Sequence, residues 1–221
     1  MVMGAFPEND NSLVAFRMQG EKYNMSFSTG GLFMREARVI VPLYVDLRDW
    51  GLVRDQVLAG NLLQARTKSS LDRQCREVIG RLQTLGPDAL QLLLAGSDQE
   101  QLALLWVAFC RRHKFVAVFA SEVIRDRYVS LKGNLSYEDY DHFYNRQADW
   151  HVELDAMSAA TRKKLRQVLF KVLHEAGILS ADNIIQPAIL SPRVVQVIVQ
   201  QGADDLLCFP LFDSDLKGIS A

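Results

Sequence analysis

Small hydroxyl residues and arginine or lysine are concentrated at two predicted helix starts. The first cluster lies in residues 64–76. A helix N-terminus presents free backbone N–H groups and a partial positive charge, so it suits a phosphate group. The cluster therefore predicts contact with a polyanion. Its candidate contact residues are Arg66, Lys68, Ser69, Ser70, Arg73 and Arg76.

The second cluster opens a longer predicted helix, residues 158–175. This helix holds five cationic side chains against Glu175 alone, a local net charge of +4. Lys163, Gln167 and Lys171 share the helix face opposite the apolar stripe, and Phe170 is expected near that face. The alternative for both clusters is a solvated basic helix face with no ligand. The candidate contact residues here are Ser158, Thr161, Arg162, Lys163, Lys164, Arg166, Gln167 and Lys171.

The overall charge limits what these clusters can be. The chain has 221 residues, a net charge of −1, 49% hydrophobic and 23% charged residues, which is ordinary for a globular protein. A pI near 6.4 excludes a protein surface that is basic throughout. Any nucleic-acid surface must therefore be a local patch.

Other chemistries find little support in the residue pattern. The three cysteines, Cys75, Cys110 and Cys208, fit neither a disulfide framework nor a zinc site. Cys75 and Cys110 lie on apolar helix faces, so we expect buried free thiols and a reducing cytoplasm. Glu138, Asp141 and His142 share a helix face, but no second ligand set completes a metal site. We expect no metal, no cofactor, no catalytic residues and no enzyme activity.

The helix signals predict a mostly α, all-helical globular protein with two helix-turn-helix motifs, the second winged by a short β-hairpin. The first motif combines a helix capped by Asp49, a long loop and an amphipathic helix from Ser70 to Leu85, with Glu77 on its polar face. The second combines residues 136–147, 149–156 and 158–175, followed by a hairpin over 178–186. The remaining predicted helices cover residues 32–47, with a kink or break at Pro42, a short stretch from Pro87, 97–113, 115–131 and a helix from Ser191.

The predicted organisation has three parts that pack together as one globule. Residues 1–22 form an irregular arm, 23–133 a helical domain, and 134–221 a winged-helix-like domain, divided at Gly133–Asn134. The longest charge-free apolar run is nine residues, Leu102–Cys110, against the roughly 20 that a membrane span needs. We expect no secretory signal, no membrane segment and a monomer.

Several segments are similar to one known family. Residues 23–32, Arg35-Glu36, Asp49-Trp50, 61–67, 77–82 and 105–111 resemble the BrxA family, a core component of bacterial bacteriophage exclusion (BREX) systems. The resemblance runs from about Tyr23 to Ile198. It implies an all-helical fold with two helix-turn-helix motifs beside basic surfaces, binding to double-stranded DNA, and other phage-defence subunits as partners.

Three alternatives to DNA binding remain open. The helical units could serve as a scaffold or adaptor that binds other defence proteins, since a fold does not fix a function. A basic groove could also bind an RNA stem-loop. A metal-dependent nuclease would need a carboxylate cluster, and the sequence offers none.

Overall fold

The computed structural model describes residues 22–28 and 30–219, and within these ranges the chain is helical with no β-strand. The predicted N-terminal arm therefore lies outside the described residues except for Lys22, as does Thr29 of the turn before the first helix. The helices are α1 Met34–Leu47, α2 Trp50–Ala59, α3 Lys68–Leu82, α4 Pro87–Ala95, α5 Asp98–Arg112, α6 Lys114–Phe119, α7 Asp126–Val129, α8 Tyr137–Ala148, α9 Val152–Asp155, α10 Ala159–Glu175, α11 Pro192–Val199 and α12 Asp213–Ile219. A π-helical segment, Ala120–Arg125, joins α6 to α7, and a 3-10 helix, Ala203–Cys208, lies between α11 and α12.

Side-chain caps set several helix starts where the sequence predicts them. Asp49 accepts a hydrogen bond from the Leu52 N–H at the start of α2. Ser97 and Ser136 form capping boxes at α5 and α8, and the Ser158 hydroxyl caps α10. Each cap satisfies backbone N–H groups that have no partner within their helix.

Two helix predictions differ from the structure in detail. Pro42 does not end the helix, because α1 continues to Leu47, so of the predicted kink or break the break is wrong. Pro42 removes one backbone hydrogen bond from α1, and the burial of the neighbouring Ile40 and Val41 stabilises the helix through packing. Helix α3 begins earlier than predicted, since Thr67 is its N-cap and exchanges hydrogen bonds with Ser70.

Helix α5 lies at the centre of the fold. It packs against α1, α3, α4, α6, α11 and the 3-10 helix. The run from Leu104 to Cys110 is buried throughout, and the Trp106 indole N–H donates to the Cys208 carbonyl oxygen at 3.0 Å. Cys75 and Cys110 are buried free thiols as predicted, and burial raises the pKa of each.

The segment after α10 reverses direction without forming strands. Leu179 and Ile185 make one isolated antiparallel bridge, and Ile184 makes another with Asn134. The expected short β-hairpin is thus reduced to single bridges. Pairing stops because Ile184 turns to the α7–α8 connection and Pro187 has no N–H to donate.

No helix of the described chain is long and apolar enough to cross a bilayer. Within the same residues, no group of three or more His, Cys, Asp or Glu side chains is placed to hold a metal ion.

Glu77 occupies the interior rather than the polar face of α3, so that part of the sequence prediction is wrong. Its carboxylate accepts from Arg81 Nε at 2.9 Å and lies 2.8 Å from His113 Nε2. The other ring nitrogen of His113 lies 3.0 Å from the Asn24 carbonyl oxygen. Both ring nitrogens of His113 are thus engaged by oxygen atoms. The local helix pattern could not reveal His113 as a partner, because it lies 36 positions away in the sequence.

Burial alone would raise the pKa of Glu77. The hydrogen bond from His113 and the charge of Arg81 outweigh burial and lower this pKa from its usual 4.5 to about 2. The ionised carboxylate therefore stabilises the fold above pH 4.5, and this contribution disappears as the pH falls towards 2.

We expect Glu77→Gln to lower the free energy of unfolding at pH 7 by on the order of 3 kcal/mol. The difference between wild type and variant should shrink as the pH falls from about 4.5 to about 2. Urea unfolding at several pH values measures it, and other carboxylates cancel because both proteins contain them. A difference that stays constant with pH would contradict this role.

Candidate nucleic-acid interface

Helix α10 has one buried face and one outward cationic face. Leu165, Val168, Leu169, Val172 and Leu173 are all buried, as the sequence predicts. The outward face exposes four of the predicted contact residues, namely Lys163, Lys164, Gln167 and Lys171.

The outward cations differ in how they are paired. Lys163 and Lys164 form no ion pair within the described residues, whereas Lys171 Nζ lies 3.6 Å from a Glu175 oxygen. Two uncompensated ammonium groups are thus held one residue apart near the start of the helix, available to an anionic ligand.

The two arginines of α10 have a different placement. Arg162 donates to the Asn145 side-chain oxygen at 2.7 Å and to the Asp141 carbonyl oxygen at 3.0 Å, and its guanidinium lies 4.4 Å from the Tyr144 ring centre. Arg166 pairs with the Asp141 carboxylate and lies 4.5 Å from the Tyr137 ring centre. Both predicted DNA contacts therefore hold α10 against α8.

The predicted hydroxyl contacts of α10 serve its N-terminus. The Ser158 hydroxyl oxygen accepts from the Thr161 N–H at 3.2 Å and also lies 2.9 Å from the Thr161 hydroxyl. Phe170, expected near the outward face, is buried and packs edge-on against Tyr137, so that prediction is wrong.

The side chains of the first cluster, residues 64–76, also divide into those with a partner in the protein and those exposed without an ion pair. Arg76 pairs with Asp72, which also accepts from Arg54 of α2 at 2.7 Å. The hydrogen bond from Arg54 lowers the pKa of Asp72. The Ser70 hydroxyl donates a hydrogen bond to the Thr67 carbonyl oxygen at the N-cap of α3. The side chains that remain exposed, with no ion pair to any described residue, are Arg66, Lys68 and Arg73 together with Ser69.

A short segment before α1 connects the two basic helices. Arg81 of α3 donates to the Gly31 carbonyl oxygen at 2.7 Å, and the Leu32 N–H donates to the Glu175 carboxylate of α10 at 2.5 Å. A Cβ at position 31 would lie 2.3 Å from a Glu175 carboxylate oxygen, so a side chain there would displace this carboxylate. The Gly30-Gly31 pair is the local sequence signal for this close approach of the backbone to α10.

The same segment lines a cleft of about 430 Å³ that both basic helices border. Gln74 of α3 and Lys171 of α10 line its walls, together with Arg35 from α1. Arg35 also bonds to Gln64 in the loop before α3. Helices α3 and α10 therefore both border this cleft, α3 through Gln74 and α10 through Lys171.

Comparison with known proteins identifies the family. Residues 21–202 match the family model described as BrxA. The chain belongs to the BrxA family. A relative named BREX protein BrxA from Escherichia coli O9:H4 (strain HS) is 31% identical over 180 residues, which is 80% of this chain and 84% of the relative.

A second relative supports the assignment, and a solved structure shares the fold. BREX protein BrxA from Paramagnetospirillum magneticum (strain ATCC 700264 / AMB-1) is 23% identical over 167 residues, covering 74% of this chain and 82% of the relative. The crystal structure of an uncharacterized protein from Magnetospirillum magneticum matches with a TM-score of 0.72 at 21% identity, over 85% of this chain and 98% of that one. This structure shares the fold. Membership of the BrxA family supports a role in BREX phage defence.

The different placements of neighbouring cations on α10 predict different effects on stability. Arg162→Ala should lower the free energy of unfolding by about 1–3 kcal/mol, because it removes hydrogen bonds and a contact with the Tyr144 ring. Lys163→Ala, the matched change on the outward face, should alter it by less than about 0.5 kcal/mol. Urea unfolding of both variants tests this, and equal effects would contradict the assignment of Arg162 to the packing against α8.

Proposed function

We propose that this BrxA-family protein is a non-enzymatic, double-stranded DNA-binding component of a BREX phage-defence system. The observation that carries the proposal is the outward face of α10. On this face the lysines and Gln167 point to solvent, while Arg162 and Arg166 hold the helix against α8. Because Lys163 and Lys164 have no carboxylate partner among the described residues, they can bind a duplex without first breaking an ion pair within the protein.

We interpret α8, α9, α10 and the chain reversal after them as a helix-turn-helix unit whose α10 enters the major groove. The bridged segment from Leu179 to Ile185 takes the place of a wing. Helices α2 and α3 form a second unit with a longer connecting loop, and α3 contacts phosphate rather than bases. Most contacts should go to the DNA backbone and set position rather than read sequence.

The charge distribution favours such local contact. The whole chain carries a net charge of −1, so long-range attraction to DNA is weak. The exposed cations lie near the starts of two helices that border one cleft, while Asp141 and Asp72 pair with neighbouring arginines. Since the cysteines are free thiols, the compartment that suits the protein is a reducing cytoplasm, and we propose that it binds DNA there as a monomer.

DNA binding should depend steeply on salt. With about five or six phosphates neutralised, the affinity for duplex DNA should fall by about three decades between 50 and 200 mM salt. Fluorescence anisotropy with a labelled duplex measures the slope. A flat response would contradict binding through phosphate contacts, and preferential competition by RNA stem-loops would change the ligand class.

Charge reversal on α10 should weaken this binding specifically. The double variant Lys163→Glu, Lys164→Glu should lose at least about tenfold in affinity and about 2 in the salt slope, because two phosphate contacts are replaced by repulsion. The double variant Arg48→Glu, Lys132→Glu makes the same change in charge at exposed positions outside α3 and α10 that form no ion pair with a described residue, and it serves as the control. Equal losses in the two variants would show that only net charge matters.

A further inference from the structure

Two large apolar side chains are exposed where the turn after α8 enters α9, Trp150 in the turn and Val152 at the first residue of α9. Trp150 is 76% exposed and Val152 is 81% exposed. Neither belongs to the basic surface of α10 or α3. Trp is among the residues that most often dominate protein–protein binding energy, so its exposure at a turn calls for a function.

The turn that carries these residues is firmly held. Trp150 N–H donates to the Gln147 carbonyl oxygen at 3.1 Å. Between the two exposed residues, His151 is buried and its ring lies 4.1 Å from that of Tyr23. Buried Leu154 accepts a hydrogen bond from the Tyr144 hydroxyl at 2.8 Å. The exposed pair is therefore presented by a fixed backbone, which lowers the entropy cost of binding.

The surroundings of the pair are acidic. Asp149 and Asp155 are exposed, Glu153 is half-buried, and residues 147–161 contain no lysine or arginine. Arg146, just before this stretch, is paired with Glu122 at 2.7 Å. Carboxylates around an apolar pair repel phosphate, so this surface does not suit a nucleic acid.

We infer that Trp150 and Val152 form a docking surface for another protein, one that offers an apolar pocket bordered by lysine or arginine. The apolar pair would fill the pocket, and the carboxylates would meet the basic border. Because only residues 156–158 separate α9 from α10, a protein bound here would stand next to the proposed DNA surface. The inference does not depend on DNA binding.

The test uses the full chain and each of the other purified subunits of the same BREX system, with affinities measured by biolayer interferometry. We expect one subunit to bind, and Trp150→Ala to weaken its binding at least about tenfold. The variant Asp149→Lys, Asp155→Lys should also weaken it. The control Leu131→Ala removes an 82% exposed apolar residue elsewhere and should change the affinity less than about twofold. Acrylamide quenching of tryptophan fluorescence should fall when the subunit binds.

Several results would overturn the inference. It is wrong if no subunit binds, or if wild type and Trp150→Ala bind equally well. Strong protection of Trp150 from acrylamide in the protein alone would show that the chain covers the pair itself. A loss of duplex-DNA affinity in Trp150→Ala would assign the pair to the DNA surface. If the DNA-binding proposal itself is wrong, the lysine variants of α10 will show no specific effect on duplex affinity. Binding of the subunit at Trp150 will then be unaffected.

Discussion

The buried carboxylate of Glu77 is the charge on which the arrangement of the two basic helices depends. It neutralises Arg81 and meets His113 at the junction of α5 and α6. Arg81 then holds the Gly31 carbonyl oxygen, and the next residue binds Glu175 at the end of α10. Taking such charges out of water costs several kcal/mol per ion, so the cluster is stable only while every partner is present. One line of contacts thereby fixes α3 and α10 relative to each other.

The need of a buried charge for a partner also divides the cations of α10 into two groups. Arg162 and Arg166 point back towards α8, where Asp141 and aromatic rings receive them. Lys163 and Lys164 face solvent with no counter-ion among the described residues. Arginine suits the first position because its planar group can stack and donate several hydrogen bonds at once, whereas a lysine ammonium remains a hydrated point charge. A chain with almost no net charge can thus present locally uncompensated positive charge.

Local signals in the sequence predict the helices well, because caps and apolar spacing act within a few residues. Ser97, Ser136 and Ser158 are confirmed as helix starts, and the buried stripe of α10 is confirmed residue by residue. Long-range partners are not predictable in this way. Glu77 looks like a surface residue on its own helix, yet its partner His113 lies 36 positions away. The sequence at the start of α10 likewise does not distinguish paired from unpaired cations, because the acceptor for Arg162 and Arg166 lies on another helix. The fold class was therefore accessible from sequence, but the division of cations between packing and solvent was not.

The most direct measurement of the central claim is site-specific crosslinking from the middle of the outward face of α10. A photoreactive amino acid would replace Gln167, and in a matched protein it would replace the exposed Gln196 of α11. With labelled duplex DNA at 50 mM salt, we expect a protein–DNA crosslink from position 167 that disappears at high salt, and none from position 196. Crosslinking from both positions alike, or from neither while DNA is bound, would contradict the claim that the outward face of α10 contacts the duplex.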